Sequence, residues 1–186
     1  EEDELGITTL ATRMRLAKST VHRLATTLTA AGFLEQNRDT GKYRLGMALF
    51  ELGALVRRRM DVANEGRPKL RELLEKTGET VQMGVVDHLS VLYVYEMESP
   101  HAIRMAAAVG GRAPLHCTAV GKVLLAYQPE DFVERVLQAG LTAYTPKTLI
   151  KREAILSMLS EVRSREHAID DEESESGLRA IAAPIR

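Results

Sequence analysis

The stretch from Lys18 to Leu28, "KSTVHRLATTL", combines residue types that suit contact with a nucleic acid. Apolar residues recur at helical spacing, at Val21, Leu24, Ala25 and Leu28. The opposite face of the helical wheel holds hydroxyl-bearing and basic side chains, namely Ser19, His22, Arg23, Thr26 and Thr27. No acidic residue occurs between Lys18 and Gly32, whereas a solvated helix usually mixes Glu with Lys. Because a carboxylate would repel phosphates, the sequence favours a helix that enters a DNA groove.

The polar residues of this helix divide into two expected roles. Lys18, Ser19 and Thr20 lie at its start, where hydroxyls, an ammonium group and free backbone N–H groups suit phosphates. Arg23 and His22 are the candidates for base edges, since arginine can pair bidentately with guanine. Thr26 continues the same face.

The surrounding residues predict a winged helix-turn-helix. Thr8 or Thr9 is expected to cap a first helix whose inner face is Leu10, Ala11 and Met14, and residues 15–17 form the turn. Gly32 ends the second helix. The runs "FLEQN" and "KYRLG" then form a hairpin with Tyr43 in the core. Its cations are Arg38, Lys42 and Arg44, of which the last two are expected to contact phosphates.

The charge distribution agrees with a DNA-binding first part. Residues 13–71 hold 13 Lys and Arg against 5 Asp and Glu, although the whole chain has a net charge of −1. A local excess of this size is common in proteins, and any small helical domain can contain two helices and a hairpin. The agreement of loop lengths, face composition and charge nevertheless favours DNA binding.

Enzymatic chemistry is not expected. His116 and Cys117 are adjacent, and neighbouring side chains diverge on a helix or a strand, so they make a poor base and nucleophile pair. The single cysteine excludes an internal disulfide and a cysteine-cluster metal site. The acidic run "DDEESE" (170–175) lacks the glycine and ligand spacing of a calcium loop and is expected to be a solvated turn with one acid facing a pocket. No metal and no cofactor are predicted.

The second part of the chain predicts a ligand-binding α+β domain. After a helix from Met47 to about residue 65, another helix is expected to start at Pro68. Strands are expected in "TVQMGVVD", "VLYVYEM", "IRMAAAV" and "GLRAIAAPI", and helices in "GKVLLAY", "EDFVERVLQAG" and "EAILSMLSEVRSREH". Thr118 is expected to cap a helix whose free N–H groups, at Ala119, Val120 and Gly121, favour an anion. Met83, Leu92, Tyr93 and Met105 either line a cavity or fill the sheet core.

The segments "KSTVHRL", "GFLE" and "TGKYRLG" resemble the DNA-binding domain of the IclR family of bacterial transcription regulators, and "RAPLHCTAVGKVLLA" and "AIDDEESESGLRAIAAPI" resemble its effector domain. The resemblance implies a winged helix-turn-helix (1–46), a linker helix (47–65) and a GAF-like effector-binding sheet with flanking helices (66–186). It places a small organic acid between Ala119, Val120, Asp170 and Ala180, although Ala180 replaces the cysteine of some relatives.

The resemblance further implies that the protein binds double-stranded operator DNA and a small-molecule effector. It also implies a homodimer, or a homotetramer built from two dimers. The helix usual before "GITTLA" is barely represented, and the family's final strand and helix do not follow Arg186, so we expect "AAPIR" to stop within the domain. We expect an effector-controlled transcriptional regulator in the cytoplasm, with no membrane span. A repressor with a degenerate sensor domain and an enzyme with a DNA-binding domain are the alternatives.

Overall fold

The computed structural model describes residues 3–59, 61–100 and 108–185, with the backbone alone for residues 61–65. The chain divides into two compact units, Glu1–Asp61 and Val62–Arg186. The first contains α1 (Ile7–Met14), α2 (Lys18–Ala30), β1 (Leu34–Gln36), β2 (Tyr43–Leu45) and α3 (Met47–Arg58). The second contains α4 (Asp61–Thr77), β3 (Val81–Asp87), β4 (Ser90–Met97), β5 (Arg112–Pro114), α5 (Ala119–Ala126), α6 (Glu130–Gln138), α7 (Arg152–Arg165), β6 (Ala168–Asp171) and β7 (Arg179–Ala182).

The first unit is the predicted winged helix-turn-helix. Helix α2 ends in a Schellman motif, in which the N–H of Phe33 donates to Leu28 O and that of Gly32 donates to Thr29 O. Gly32 has a φ of 76°, a conformation that glycine adopts without steric cost. Strands β1 and β2 then pair antiparallel, from Leu34 opposite Leu45 to Gln36 opposite Tyr43. The buried Tyr43 confirms its predicted place in the core.

Ala11 is buried on the inner face of the first helix as predicted, but the predicted cap and the place of Met14 are wrong. Helix α1 begins at Ile7 after Gly6, without a side-chain cap, so neither Thr8 nor Thr9 caps it. Thr8 lies inside the first turn, where its carbonyl accepts a hydrogen bond from Thr12 Oγ1 at 3.0 Å. Met14, expected on the inner face, is 50% exposed because the chain turns away at Arg15, which has a left-handed backbone.

The predicted linker helix is also wrong in its extent. Helix α3 ends at Arg58 and α4 begins at Asp61, so residues 47–65 belong to two helices. Pro68 lies inside α4 rather than at a helix start. Proline has no N–H group, so α4 lacks the hydrogen bond that a residue at this position would donate one turn back.

The second unit is built from sheets backed by helices. Strands β3, β4 and β5 form an antiparallel sheet in that order, and β6 pairs antiparallel with β7. Helix α5 packs against β3, β4, β6, β7 and α7, and its buried Leu125 joins Val91, Ile155 and Leu159 in the core. The strands at 81–97 and 179–182 confirm the sequence prediction, whereas β5 and β6 were not predicted. The strand expected in "IRMAAAV", with Met105, lies outside the described residues.

None of the helices that the structure describes is long and apolar enough to cross a membrane. Within the same residues, no three His, Cys, Asp or Glu side chains cluster closely enough to hold a metal ion.

Candidate functional site

The start of α2 has backbone donors that the fold leaves without a helical partner. The first intrahelical bond runs from Val21 N–H to Ala17 O at 3.1 Å. Ala17, the N-cap residue, has no side-chain acceptor. The N–H groups of Lys18, Ser19 and Thr20 therefore have no partner within the helix, and the helix dipole adds a partial positive charge at this end. This geometry suits a phosphate.

The polar face of α2 points away from the core of the first unit. Of the predicted apolar stripe, Val21 and Ala25 are buried, at 2% and 3% exposure, whereas Leu24 and Leu28 are 44% and 41% exposed. Ser19, His22, Arg23 and Thr26 are exposed, and Thr20 is half-buried. Thr26 Oγ1 donates to His22 O at 2.9 Å, so its hydroxyl is left to act as an acceptor. Arg23 and His22 therefore form the accessible middle of the predicted recognition face.

The hairpin presents its cations unequally. Arg44 pairs with Glu35 on the neighbouring strand, through Nε at 3.0 Å and Nη2 at 2.9 Å. A phosphate must compete with this carboxylate for the same guanidinium. Lys42 and Arg38 are exposed, and neither has an ion-pair partner within residues 3–59. Sequence reasoning grouped Lys42 with Arg44 because it could not show that Glu35 lies opposite Arg44.

In the second unit, the start of α5 has two free backbone donors rather than three. Thr118 caps the helix as predicted, and its Oγ1 accepts from Gly121 N–H at 3.0 Å. The predicted availability of the Gly121 N–H is therefore wrong. The N–H groups of Ala119 and Val120 remain without a helical partner. Gly121 allows close packing here, because an added Cβ would lie 2.5 Å from Pro114 O.

Asp170 and Ala180 lie directly opposite each other on β6 and β7, against which α5 packs. Asp170 is 1% exposed, as expected of the one acid that faces inward, but it belongs to strand β6 rather than to the predicted turn. Its Oδ1 accepts from Glu173 N–H at 2.8 Å and from Ser174 N–H at 3.2 Å, and its Oδ2 accepts from Ser174 Oγ. The structure thus pairs Asp170 with Ala180 on strands that pack against α5, and the Asp170 carboxylate is already hydrogen-bonded.

A buried ion pair behind this site was missed at the level of sequence. Lys122 Nζ lies on Glu173 Oε1 and donates to Ile169 O at 2.9 Å, and the two side chains are 3% and 13% exposed. Removing one partner of a buried pair costs about 3–5 kcal/mol, because the other charge stays buried. The signal in the sequence was a lysine inside the apolar helix "AVGKVLLA", which required an anionic partner.

Tyr93 of β4 faces the same buried region. Burial, followed by the charge of Asp170, raises the pKa of its phenol. The side chain is 5% exposed and belongs to the hydrophobic core, the more common of the two predicted outcomes. Tyr93 therefore forms part of the packed wall near Asp170.

The His116 and Cys117 pair has no catalytic geometry. His116 Nε2 lies 3.0 Å from Thr142 O, and this hydrogen bond holds the imidazole ring against the loop between α6 and α7. Cys117 is completely buried, and its burial raises the thiol pKa to about 12. A thiol with that pKa stays protonated near neutral pH and is a poor nucleophile.

His116 should make folding stability depend on pH. Burial lowers its pKa below the usual value of 6.5, so the unfolded chain binds a proton more readily than the folded one. Stability should fall as the pH drops below 6.5, by at most about 1.4 kcal/mol per pH unit, until the folded-state pKa is reached. The variant His116→Gln keeps an N–H donor for Thr142 O but has no titrating ring. We expect its folding stability to fall less than that of the wild type over the same pH range. Urea unfolding at pH 7.5 and 5.5 measures both, and equal losses would contradict this role.

Family models match both parts of the chain. The model of the IclR helix-turn-helix domain matches residues 1–38, and that of the bacterial transcriptional regulator IclR C-terminal domain matches residues 54–186. The HTH-type transcriptional regulator KdgR of Escherichia coli is 39% identical over 186 residues, which cover 100% of this chain and 71% of that protein. The chain belongs to the IclR family of bacterial transcriptional regulators.

Two further relatives resemble this IclR-family regulator over nearly all of its length. The regulator XynR of Escherichia coli is 39% identical, with 98% of this chain and 73% of that protein covered. A crystal structure of an IclR homolog complexed with 4-hydroxybenzoate, from Microbacterium hydrocarbonoxydans, is 29% identical with a TM-score of 0.91, covering 100% of this chain and 77% of that one. These matches confirm the predicted family and α+β fold class. A family of transcription regulators also confirms that the protein is not an enzyme.

Proposed function

We propose that this IclR-family regulator binds operator DNA as a homodimer and responds to a small organic or aromatic acid. The observation that carries the proposal is the uncapped, acid-free start of α2 on a winged helix-turn-helix. Residues 1–46 bind DNA, residues 47–65 connect, and residues 66–186 hold the effector. Such a regulator acts in the cytoplasm, where the chromosomal DNA lies.

The DNA contacts divide by chemistry. Lys18, Ser19 and Thr20 bind phosphate with side chains and free N–H groups, while Arg23 and His22 contact base edges and Thr26 accepts a hydrogen bond. On the hairpin, Lys42 and Arg38 contact the phosphate backbone of the DNA. Arg44 contributes less, since Glu35 already neutralises it.

The effector site is the start of α5. An acid's carboxylate accepts from the N–H groups of Ala119 and Val120, with the helix dipole adding to the attraction. Ala180 and Asp170 lie on the strands against which α5 packs. The homolog bound to 4-hydroxybenzoate supports a carboxylic acid.

The surface of α3 supports the dimer. This helix has 12 residues and buries none of them. Its predicted stripe stays open, with exposures of 39% for Leu49, 47% for Leu52, 54% for Leu55 and 58% for Val56. An isolated helix of this length is marginal in water, and an apolar stripe of this kind is stabilised by a second copy of the same helix. Two such dimers would form the tetramer.

Ligand-dependent thermal stability tests the effector proposal. We expect benzoate, 4-hydroxybenzoate, pyruvate or acetate to raise the Tm of the protein by several degrees at 1 mM, because a ligand at 100 times its Kd adds about 2.7 kcal/mol. Benzamide and glycerol, which carry no carboxylate, are the matched controls and should leave the Tm unchanged.

The result also tests the alternative of a ligand-independent repressor. Two observations favour that alternative, namely that the turn already occupies both oxygens of Asp170 and that Ala180 offers no polar side chain. If no acid changes the Tm while operator binding is intact, the acid-response proposal is wrong. A shift with benzoate and an equal one with benzamide would contradict recognition of the carboxylate.

A further inference from the structure

We propose that Lys122 and Glu173 are positioning residues of the effector site, because their buried ion pair fixes the turn that orients Asp170 relative to the start of α5. The inference rests on the proposed effector site and adds two residues to it that contact no ligand. It concerns the second unit alone.

Lys122 connects helix α5 to strand β6, which carries Asp170. It lies one turn after Ala119, so the side chain starts from the same end of α5 as the free N–H groups. Its Nζ donates to Ile169 O at 2.9 Å, and Ile169 directly precedes Asp170. A displacement of this ammonium group would therefore change the distance between Asp170 and the helix start.

Glu173 connects the same ammonium group to the turn after the strand. Its Oε1 pairs with Lys122, while its backbone N–H donates to Asp170 Oδ1 at 2.8 Å. Lys122, Glu173 and Asp170 thus form a closed circuit between α5, β6 and the turn. The other oxygen, Glu173 Oε2, is buried without a partner in the described part of the chain, so the carboxylate depends on Lys122 for its stabilisation.

The directionality of these contacts matters more than their strength. Thr145 Oγ1 and Thr148 Oγ1 also hold the turn, by donating to Glu172 O at 2.7 Å and to Glu173 O at 2.6 Å. Those bonds come from the loop between α6 and α7, whereas Lys122 reaches the turn from α5. Apolar side chains of similar volume could fill the space, but hydrophobic contact is non-directional and would not fix the carboxylate.

Hydrogen exchange of backbone amides tests the pair without any ligand. In Lys122→Met/Glu173→Leu we expect the amides of Glu173 and Ser174 to exchange at least about tenfold faster than in the wild type, because they donate to Asp170. The amides of Ile155 and Leu159 in α7 should keep their rates. The control Arg152→Met/Glu134→Leu removes an exposed pair and should change neither group.

Effector binding gives the second measurement, with 4-hydroxybenzoate as the probe. We expect its Kd to rise at least about tenfold in the double variant while the Tm without ligand stays within a few degrees of the wild type. A purely structural pair would leave this affinity unchanged once the Tm is preserved. If the double variant does not fold, Lys122→Met/Glu173→Gln is measured instead, since it keeps the shape of the glutamate side chain, leaves no unpaired charge buried and still removes the ion pair.

The outcomes separate the two proposals. Unchanged exchange at Glu173 and Ser174 in the folded variant would overturn the positioning role, whatever the ligand does. Faster exchange with an unchanged Kd would overturn the connection to effector binding. If the wild type binds no acid, the proposed effector function fails, and the exchange rates alone decide whether the pair orients Asp170.

Discussion

Replacing Arg23 with alanine is expected to remove base discrimination from DNA binding while leaving most non-specific affinity in place. Arg23 is exposed in the middle of the acid-free face of α2, and a bidentate arginine contact with guanine contributes about 1–3 kcal/mol of discrimination. The affinity for the operator should therefore fall by that amount, and the affinity for unrelated DNA should change little. Fluorescence anisotropy titrations with operator and scrambled duplexes, at several salt concentrations, measure both.

Lys42→Ala and Arg44→Ala are the comparisons that give this result its meaning. Lys42 has no ion-pair partner within residues 3–59, so its removal should weaken binding to all duplexes and lower the salt slope by about 0.9. Arg44 is paired with Glu35, so its removal should change the slope less. If Arg23→Ala weakens operator and scrambled DNA equally, Arg23 is a phosphate contact and the assignment of base recognition is wrong.

The parts of the fold that the sequence predicted well are those determined by local pattern. The helical period of Val21 and Ala25, the glycine at position 32 and the short hairpin each have a local cause that a reader of the sequence can identify. The same holds for Thr118, whose capping role follows from its residue type before an apolar helix. These features located the start of α2 and the start of α5, where the two candidate sites lie.

The parts that the sequence did not predict depend on partners distant in the chain. Lys122 and Glu173 are 51 residues apart, and neither periodicity nor composition connects them. The acidic run predicted one inward-facing carboxylate, but neither the strand that carries Asp170 nor its packing against α5 was predicted. The sequence did not predict that residues 47–65 are divided between two helices. The apolar spacing continues past Arg58, whereas helix α3 ends there and α4 begins at Asp61.

The prediction for the start of α5 was right about the helix and wrong about the free N–H group of Gly121. The sequence correctly places a helix start near Ala119, because a threonine precedes a run of helix-forming residues. The predicted cap implied that the Thr118 hydroxyl would accept from the N–H of Val120 or of Gly121, but it could not show that Gly121 is the donor or that the hydroxyl also donates to Pro114 O at 2.8 Å. That donation depends on where β5 ends, and β5 is a three-residue strand whose sequence, "RAP", has no strand signal.

Introducing charge on the exposed stripe of α3 should have the largest effect on DNA binding. We expect Leu52→Glu/Val56→Glu to convert the proposed dimer into monomers, because two carboxylates per helix would face their counterparts across a two-fold axis. These side chains are 47% and 58% exposed, so the monomer itself should fold with little loss of stability. Analytical ultracentrifugation measures the mass, and circular dichroism checks the fold.

The loss of the dimer should then appear as a loss of operator affinity of about 100-fold or more, because two linked DNA-binding units gain avidity that a single unit lacks. The same variant should bind a half-site duplex with unchanged affinity, which separates a dimerisation defect from damage to α2. Leu156→Glu on α7 is the matched control, since it adds the same charge at a leucine that is 38% exposed on another helix. A double variant that remains dimeric, or a wild type that is already monomeric, would contradict the assignment of this stripe. The pairing of two DNA-binding units would then have to use another surface.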